Sequence, residues 1–207
     1  LTVVNSKTAP KIRRIYEQYR KLGFCWQQYI ACLDPIGKLQ GEKEFSLTPE
    51  LYGNFLIELF ELWEIDLKQG KQPYIRQFEN YISILLGYMP EACEQRGICS
   101  FQNVVEADGS VYPCDFYVLD EYNLGNLNEN SFEEIQKKRN AIQFVENSCN
   151  HLSECKECEY FFICRGGCRK HRDNMGVMDG KNRFCQSYRM FFDACLSRMV
   201  EISKRCR

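Results

Sequence analysis

Thirteen cysteines stand in this chain of 207 residues, and eleven of them fall between Cys93 and Cys206. Thiols at that density are held either by one another in disulfides or by metal, and either choice dictates the fold around them. Their number is odd, and disulfide scaffolds are usually much shorter chains; helical apolar patterns here supply a core that needs no covalent staples. Four of the cysteines are closely spaced as Cys155-x2-Cys158-x5-Cys164-x3-Cys168, inside a stretch from Asn150 to Gly180 that is dense in Gly and charge. Thiolates so close together in an irregular loop can converge on one small inorganic core. Zinc is the rival, but zinc sites favour paired C-x2-C units in a fourfold set, and within this run only Cys155 and Cys158 form such a pair. The spacing favours iron and sulfide.

Charge narrows the partners. Lys and Arg total 27 against 28 for Asp and Glu, a net charge of -1, which offers no strong electrostatic pull toward nucleic acid or an anionic membrane surface. The most apolar run, Phe55 to Ile65, is interrupted by Glu58, Glu61 and Glu64 and falls far short of a membrane span. The opening residues, Leu1-Thr-Val-Val-Asn5, lack an initiator Met and a targeting segment and read as a piece of something longer.

Periodicity gives an α+β order. Leu1 to Asn5 reads as a strand, Pro10 to Leu22 as a helix between Thr8 and Gly23, and Trp26 to Leu33 as a second strand stopping at Asp34-Pro35. Parallel strands joined by a helix are the economical reading. A long helix is predicted from Thr48 as N-cap to about Lys68, burying Leu51, Phe55, Leu59, Leu62 and Trp63, and another from Tyr74 to Leu86. After Pro90 the character changes, so residues 1–87 and 88–207 are read as separate domains. Asp108-Gly109 predicts a hairpin between Phe101–Ala107 and Ser110–Val118. Ser131-Phe-Glu-Glu134 is a capping box opening a helix toward Val145, and Asn182 to Cys206 closes the chain as a helix with Phe184, Tyr188, Phe191, Phe192, Cys195, Met199 and Ile202 buried. Lys137-Lys-Arg139 reads as a solvated helix face.

Cys99 precedes the hairpin, Cys114 lies in its second strand with Gly109 five positions ahead, and Cys185 follows the four-cysteine run. C-x14-C containing G-x4-C, a gap, C-x2-C-x5-C-x3-C, a gap and C resembles the seven-cysteine SPASM signature of radical S-adenosylmethionine enzymes. Within that group, the stretch from Cys99 through Asn123-Leu-Gly-Asn-Leu127, with Cys114-Asp115-Phe116 inside it, is similar to the anaerobic sulfatase-maturating enzymes.

The resemblance implies that residues 1–87 are the last β/α units of a partial (β/α)6 radical SAM barrel and residues 88–207 a SPASM domain around two auxiliary [4Fe-4S] clusters. Two such clusters need eight thiolates, and Cys93 is the natural eighth. The family pattern then gives Cys93, Cys99, Cys114 and Cys168 to one cluster and Cys155, Cys158, Cys164 and Cys185 to the other. With no open iron, electron transfer becomes their task. Gly166 and Gly167 would let backbone N–H groups approach cluster sulfur. Leu33, in the final strand, would touch the adenosyl group. The family oxidises a Cys or Ser of a sulfatase to formylglycine: a radical takes hydrogen from Cβ, a base takes the thiol or hydroxyl proton, and an electron leaves for the auxiliary clusters. Asp115 matches the proposed base.

A sulfatase polypeptide, an electron carrier such as flavodoxin or ferredoxin, and a cytoplasmic location follow as expectations. The C-x3-C-x2-C motif that binds the radical-generating cluster is absent from residues 1–207, so S-adenosylmethionine and a third [4Fe-4S] cluster are expected in a missing N-terminal part, and this stretch alone is expected to be inactive. The alternatives are another SPASM peptide maturase, for example one forming thioether crosslinks, or a stand-alone iron-sulfur electron carrier. Cys25, Cys32, Cys149, Cys195 and Cys206 lie outside the pattern, His151 and His171 are not needed as ligands, and the stripe Tyr188, Phe191 and Phe192 reads as core.

Overall fold

A computed structural model describes residues 1–34, 41–173 and 180–206. The chain begins with β1 (Thr2–Val4), passes through a 3-10 turn at Ala9–Lys11 into α1 (Ile12–Lys21), and returns through β2 (Trp26–Gln27) and β3 (Tyr29–Ala31). β1 pairs in parallel with β3, while β2 pairs in parallel with β4 (Tyr74–Ile75). The single strand expected from Trp26 to Leu33 is thus one extended run lying between two neighbours. Its first residues bond to β4, where Tyr74 N–H meets the Cys25 carbonyl, and its last bond to β1, where Thr2 N–H meets Gln28. Pairing stops at Ala31, so Leu33 lies outside any strand, and β4 follows later in the chain. Pro35, where the run was expected to stop, lies outside the described residues.

Thr8 does not cap α1; its hydroxyl accepts the Asn5 N–H at 2.8 Å instead, stabilising the turn that leaves β1. At α2 (Pro49–Lys68) the expected cap is present, with Thr48 Oγ1 accepting the Leu51 N–H at 3.2 Å. α3 (Arg76–Leu85) starts two residues later than its periodicity suggests, because Tyr74 and Ile75 are taken by strand pairing.

The last helix, α10 (Cys185–Arg205), packs against α2 and α3. Phe191 stacks on Phe78 with ring centroids 5.9 Å apart and meets Phe60 edge-on at 5.9 Å. One apolar core therefore contains both ends of the chain. Asn182, the expected start of α10, accepts the Phe184 N–H through its side chain and stays outside the helix.

Between these ends lie α4 (Cys93–Arg96), then β5 (Val104–Val105) and β6 (Ser110–Tyr112) as an antiparallel hairpin, with β7 (Gly125–Asn126) adding a third strand. The hairpin is shorter than expected: Cys114 lies beyond β6, just ahead of a 3-10 turn at Asp115–Tyr117. Gly109 takes φ +89 in the turn, and Asp108 accepts the Ser110 N–H there. α5 (Phe132–Ile142) opens with the full Ser131/Glu134 capping box, and it stops where Gln143 turns left-handed at φ 47, before α6 (Phe144–Asn147). Val111, Leu124 and Ile135 form a separate small core under this sheet.

Arg139 corrects the reading of Lys137 to Arg139 as a solvated face. It is buried, bonded to Gln102 and Asn103 and set over the Phe101 ring, whereas Lys137 is exposed and paired with Glu133. Three single turns follow, α7 (Ser153–Lys156), α8 (Phe161–Cys164) and α9 (Arg169–Arg172). The part of the cysteine-rich stretch at 174–179 lies outside the described residues. Among the described residues no helix is long and apolar enough to cross a membrane.

Candidate iron-sulfur centres

Eight cysteines border two hollows, four at each. Cys93 on the first turn of α4, Cys99, Cys114 and Cys168 border one, together with Asp115. Cys155 in α7, Cys158, Cys164 in α8 and Cys185 at the start of α10 border the other. The described residues include all thirteen cysteines, and none forms a disulfide.

Loops far apart in sequence are pinned where these groups meet. Gly97 sits at φ +71, and a Cβ there would run into the carbonyl of Arg165, so the segment from Cys93 to Cys99 lies directly on the loop between Cys164 and Cys168. Cys99 donates its N–H to Ser148 Oγ at 2.9 Å. A Cβ on Gly166 would meet the His151 ring, and Asn182 donates to the Gly166 carbonyl at 2.9 Å. Sequence reading missed Gly97, Ser148 and Asn182; the only local signal was a glycine two residues before a ligand candidate. Tyr188, beside the second hollow, donates to Glu94 Oε1 at 2.6 Å, and Glu94 borders the first, so one hydrogen bond joins the two.

The electrostatics separate the same two groups. Burial pushes the Cys114 and Cys164 thiols up to about 12, the Cys168 thiol well above the usual range, and those of Cys99, Cys155 and Cys185 upward. Neighbouring sulfurs add to this within each group: Cys185, Cys158 and Cys155 act on Cys164, and Cys93 and Cys99 act on Cys168. Backbone N–H groups of Phe116, Gly166 and Lys170 partly offset the effect by approaching Cys114, Cys164 and Cys168. Four crowded thiols resist becoming anions unless a cation binds them, and coordination to metal removes the proton outright.

The donor set fits a [4Fe-4S] cluster at each hollow, since such a cluster takes four thiolates. Among the described residues no trio of His, Cys, Asp or Glu closes round one point tightly enough for a single ion. Tetrahedral zinc would demand sulfurs each about 2.3 Å from one atom.

Asp115 opens the 3-10 turn beyond β6, is exposed, and accepts a hydrogen bond from the Cys114 thiol at 3.3 Å. A thiolate bound to iron has no proton to donate, so ligation of Cys114 would release this carboxylate toward the hollow. Leu33 packs half-buried against the main core and borders neither hollow. Cys25, Cys149 and Cys206 are exposed, Cys32 is half-buried, and Cys195 is buried on α10. His171 borders the first hollow with Nδ1 3.6 Å from Glu94.

Comparison with known proteins agrees with the cysteine pattern. Residues 93–159 match the SPASM family, described as an iron-sulfur cluster-binding domain. A cysteine-type anaerobic sulfatase-maturating enzyme of Clostridium novyi (strain NT) is 42% identical over 205 residues, covering 99% of this chain and 55% of the relative. Its counterpart from Clostridium perfringens (strain 13 / Type A) is 38% identical, covering 100% of this chain and 56% of the relative. The solved structure of native anSMEcpe with bound AdoMet and Cp18Cys peptide superimposes with a TM-score of 0.93 at 38% identity, covering 99% of this chain and 57% of that one. The chain thus spans about half the length of the curated relatives it matches. By sequence and by fold, nearly the whole chain is similar to the C-terminal portion of anaerobic sulfatase-maturating enzymes, and residues 93–159 carry the SPASM iron-sulfur cluster-binding pattern.

Proposed function

We propose that this chain is the C-terminal portion of an enzyme that oxidises an active-site cysteine of a sulfatase to formylglycine. In this reading residues 1–87 complete a partial (β/α)6 barrel and residues 88–207 form a SPASM domain with two auxiliary clusters. Cys93, Cys99, Cys114 and Cys168 hold one, and Cys155, Cys158, Cys164 and Cys185 hold the other. The observation that carries the proposal is the hollow where four cysteines and Asp115 meet beside β3. The cysteine-type relatives at 42% and 38% identity favour cysteine over serine as the target.

Conversion of a CH2–SH group to a thioaldehyde removes a hydrogen atom from carbon, a proton from sulfur and one electron; water then gives the aldehyde and releases sulfide. S-adenosylmethionine with its own cluster would supply the hydrogen-abstracting radical from the remainder of the protein, and the auxiliary clusters would take the electron. Asp115 accepts the proton. Its place beside Cys114 lets proton and electron leave the substrate at one spot, which lowers the charge built up in between. The Gly97–Arg165 contact holds the two cysteine groups in fixed relation, so the geometry exists before substrate binds.

The test is to incubate the full-length parent enzyme, S-adenosylmethionine and a reductant with a peptide carrying a sulfatase active-site cysteine, and to weigh the product. Appearance of the aldehyde, trapped with a hydrazine, is expected; unaltered peptide with S-adenosylmethionine consumed would overturn the substrate assignment. Iron and inorganic sulfide in equal amounts, without zinc, are expected in the same anaerobic preparation.

A further inference from the structure

Directly after Cys168 the chain reads Arg169-Lys170-His171-Arg172, and all four side chains are buried, with 4%, 8%, 6% and 3% of their surface exposed. Buried cations are strongly unfavourable unless anions sit near them. Among the described residues, none of Arg169, Lys170 and Arg172 forms a carboxylate ion pair within the hydrogen-bonding range that pairs other arginines here, such as Arg198 with Glu64 at 3.0 Å. Arg169 donates to the Phe144 carbonyl at 2.8 Å and lies over the Phe144 and Tyr117 rings, 4.2 and 5.0 Å from their centroids, and its Nε has no partner. Arg172 donates to the carbonyls of Asn150 and Ser148, at 2.8 and 2.6 Å, and its Nε is also unpartnered. The ammonium of Lys170 lies 5.4 Å from the Tyr117 ring.

The Asp173 carboxylate, which accepts from the Tyr117 hydroxyl at 3.1 Å, is the first anion acting on Lys170; the others these cations face are sulfurs, and Arg169 itself borders the hollow of Cys93, Cys99, Cys114 and Cys168. Arg169 and Arg172 both act on Cys99, Arg172 and Lys170 act on Cys168, and Lys170 acts on Cys114. Three of the four cysteines of the first group are thus addressed; Arg172 also reaches Cys155 of the second. The second hollow is served differently. Its cations, Lys181 and Arg189, are exposed and already paired with Glu154 and Glu159.

We propose that Arg169, Lys170 and Arg172 are a built-in counter-charge for the cluster bound by Cys93, Cys99, Cys114 and Cys168, raising its reduction potential above that of the second cluster. The inference rests on the reading of the two groups as cluster ligands. Four thiolates around an iron-sulfur core leave a net anion, and reduction adds one more negative charge. Fixed cations buried beside it favour the reduced form, and low polarisability around them keeps the effect from being screened. The electron that leaves the substrate next to Asp115 would then find its best acceptor at the nearest cluster.

The test uses the full-length parent enzyme, reconstituted anaerobically, with iron and sulfide assayed and each auxiliary cluster titrated by electron paramagnetic resonance; added S-adenosylmethionine marks the signal of the third cluster. Arg169→Gln and Lys170→Gln should keep the wild-type iron content and move the midpoint of one auxiliary cluster to more negative potential, leaving the other in place. Arg169→Lys, which retains the charge, should stay near the wild-type midpoint. An unmoved midpoint in fully loaded Gln variants, or an equal shift in both clusters, overturns the proposal. If Arg169→Gln fails to load, Lys170→Gln decides by the same criteria. A wild-type enzyme that takes up no iron sinks the ligand reading instead, and this inference with it.

Discussion

A carboxylate one residue from a ligand thiolate can couple two events that chemistry would otherwise separate, loss of a proton and loss of an electron. In the proposed reading Asp115 holds that position beside Cys114, on a 3-10 turn whose register is set by the Tyr117 N–H bonding back to the Cys114 carbonyl. Asp115→Asn keeps the shape and removes the basicity. In the full-length enzyme it should retain its iron and still cleave S-adenosylmethionine, while product forms about 10²–10⁴ times more slowly. Mass spectrometry of the peptide reads this directly, and a normal rate would dismiss Asp115 as the base. Gly97 carries a structural burden of a different kind. A methyl group there meets the Arg165 carbonyl on a backbone already at φ +71, so Gly97→Ala should cost about 1–3 kcal/mol in a denaturant melt and reduce iron uptake. Wild-type stability with full iron would show that the two loops can part without consequence.

Helix caps were legible in the sequence wherever a side chain competes for a backbone N–H, as Thr48 and Ser131 do. Thr8 looked the same in sequence but bonds to Asn5, because the chain leaving β1 turns before the helix begins. Ser131→Ala removes a capping box on an exposed helix end and should cost about 1 kcal/mol by thermal melt, with cluster content unchanged; no change in stability would mean the end of α5 is frayed. The third strand, β7, was illegible because two residues carry no period. Asn126 is placed by its pairing with Ser110 and by a side-chain bond to the Asp108 carbonyl, both far back in the chain, which no local pattern reports. The four-cysteine run from Cys155 to Cys168 stood out because thiol spacing is a local signal, whereas Cys93, Cys99, Cys114 and Cys185 joined it through the resemblance. The buried arginines were not legible, since a run of basic residues ordinarily marks a wetted face, and only their packing under Tyr117 and Phe144 shows otherwise.

Cohesion in the whole molecule comes from two sources. α2, α3 and α10 share a conventional aromatic core, and it needs nothing but apolar burial to form. The stretch from Cys93 to Cys168 has little core of its own among the described residues, a cluster of Val111, Leu124 and Ile135 and an aromatic group of Tyr117, Tyr122 and Phe144, and apart from α5 its helices are single turns that would not persist in isolation. If clusters organise that stretch, their binding energy is folding energy there and nowhere else. Stripping iron from the full-length enzyme with a chelator under reducing conditions should therefore abolish amide hydrogen-exchange protection in α4, α8 and the loops around Gly97 and Gly166, while α2 and the middle of α10 keep theirs. Cys185 makes the border informative: it ties the first turn of α10 to the second hollow, so protection should fade toward that end of the helix and hold around Phe191. Uniform loss along α10 would mean the aromatic core depends on the clusters, and unaltered protection around Gly97 would mean the loops fold without them.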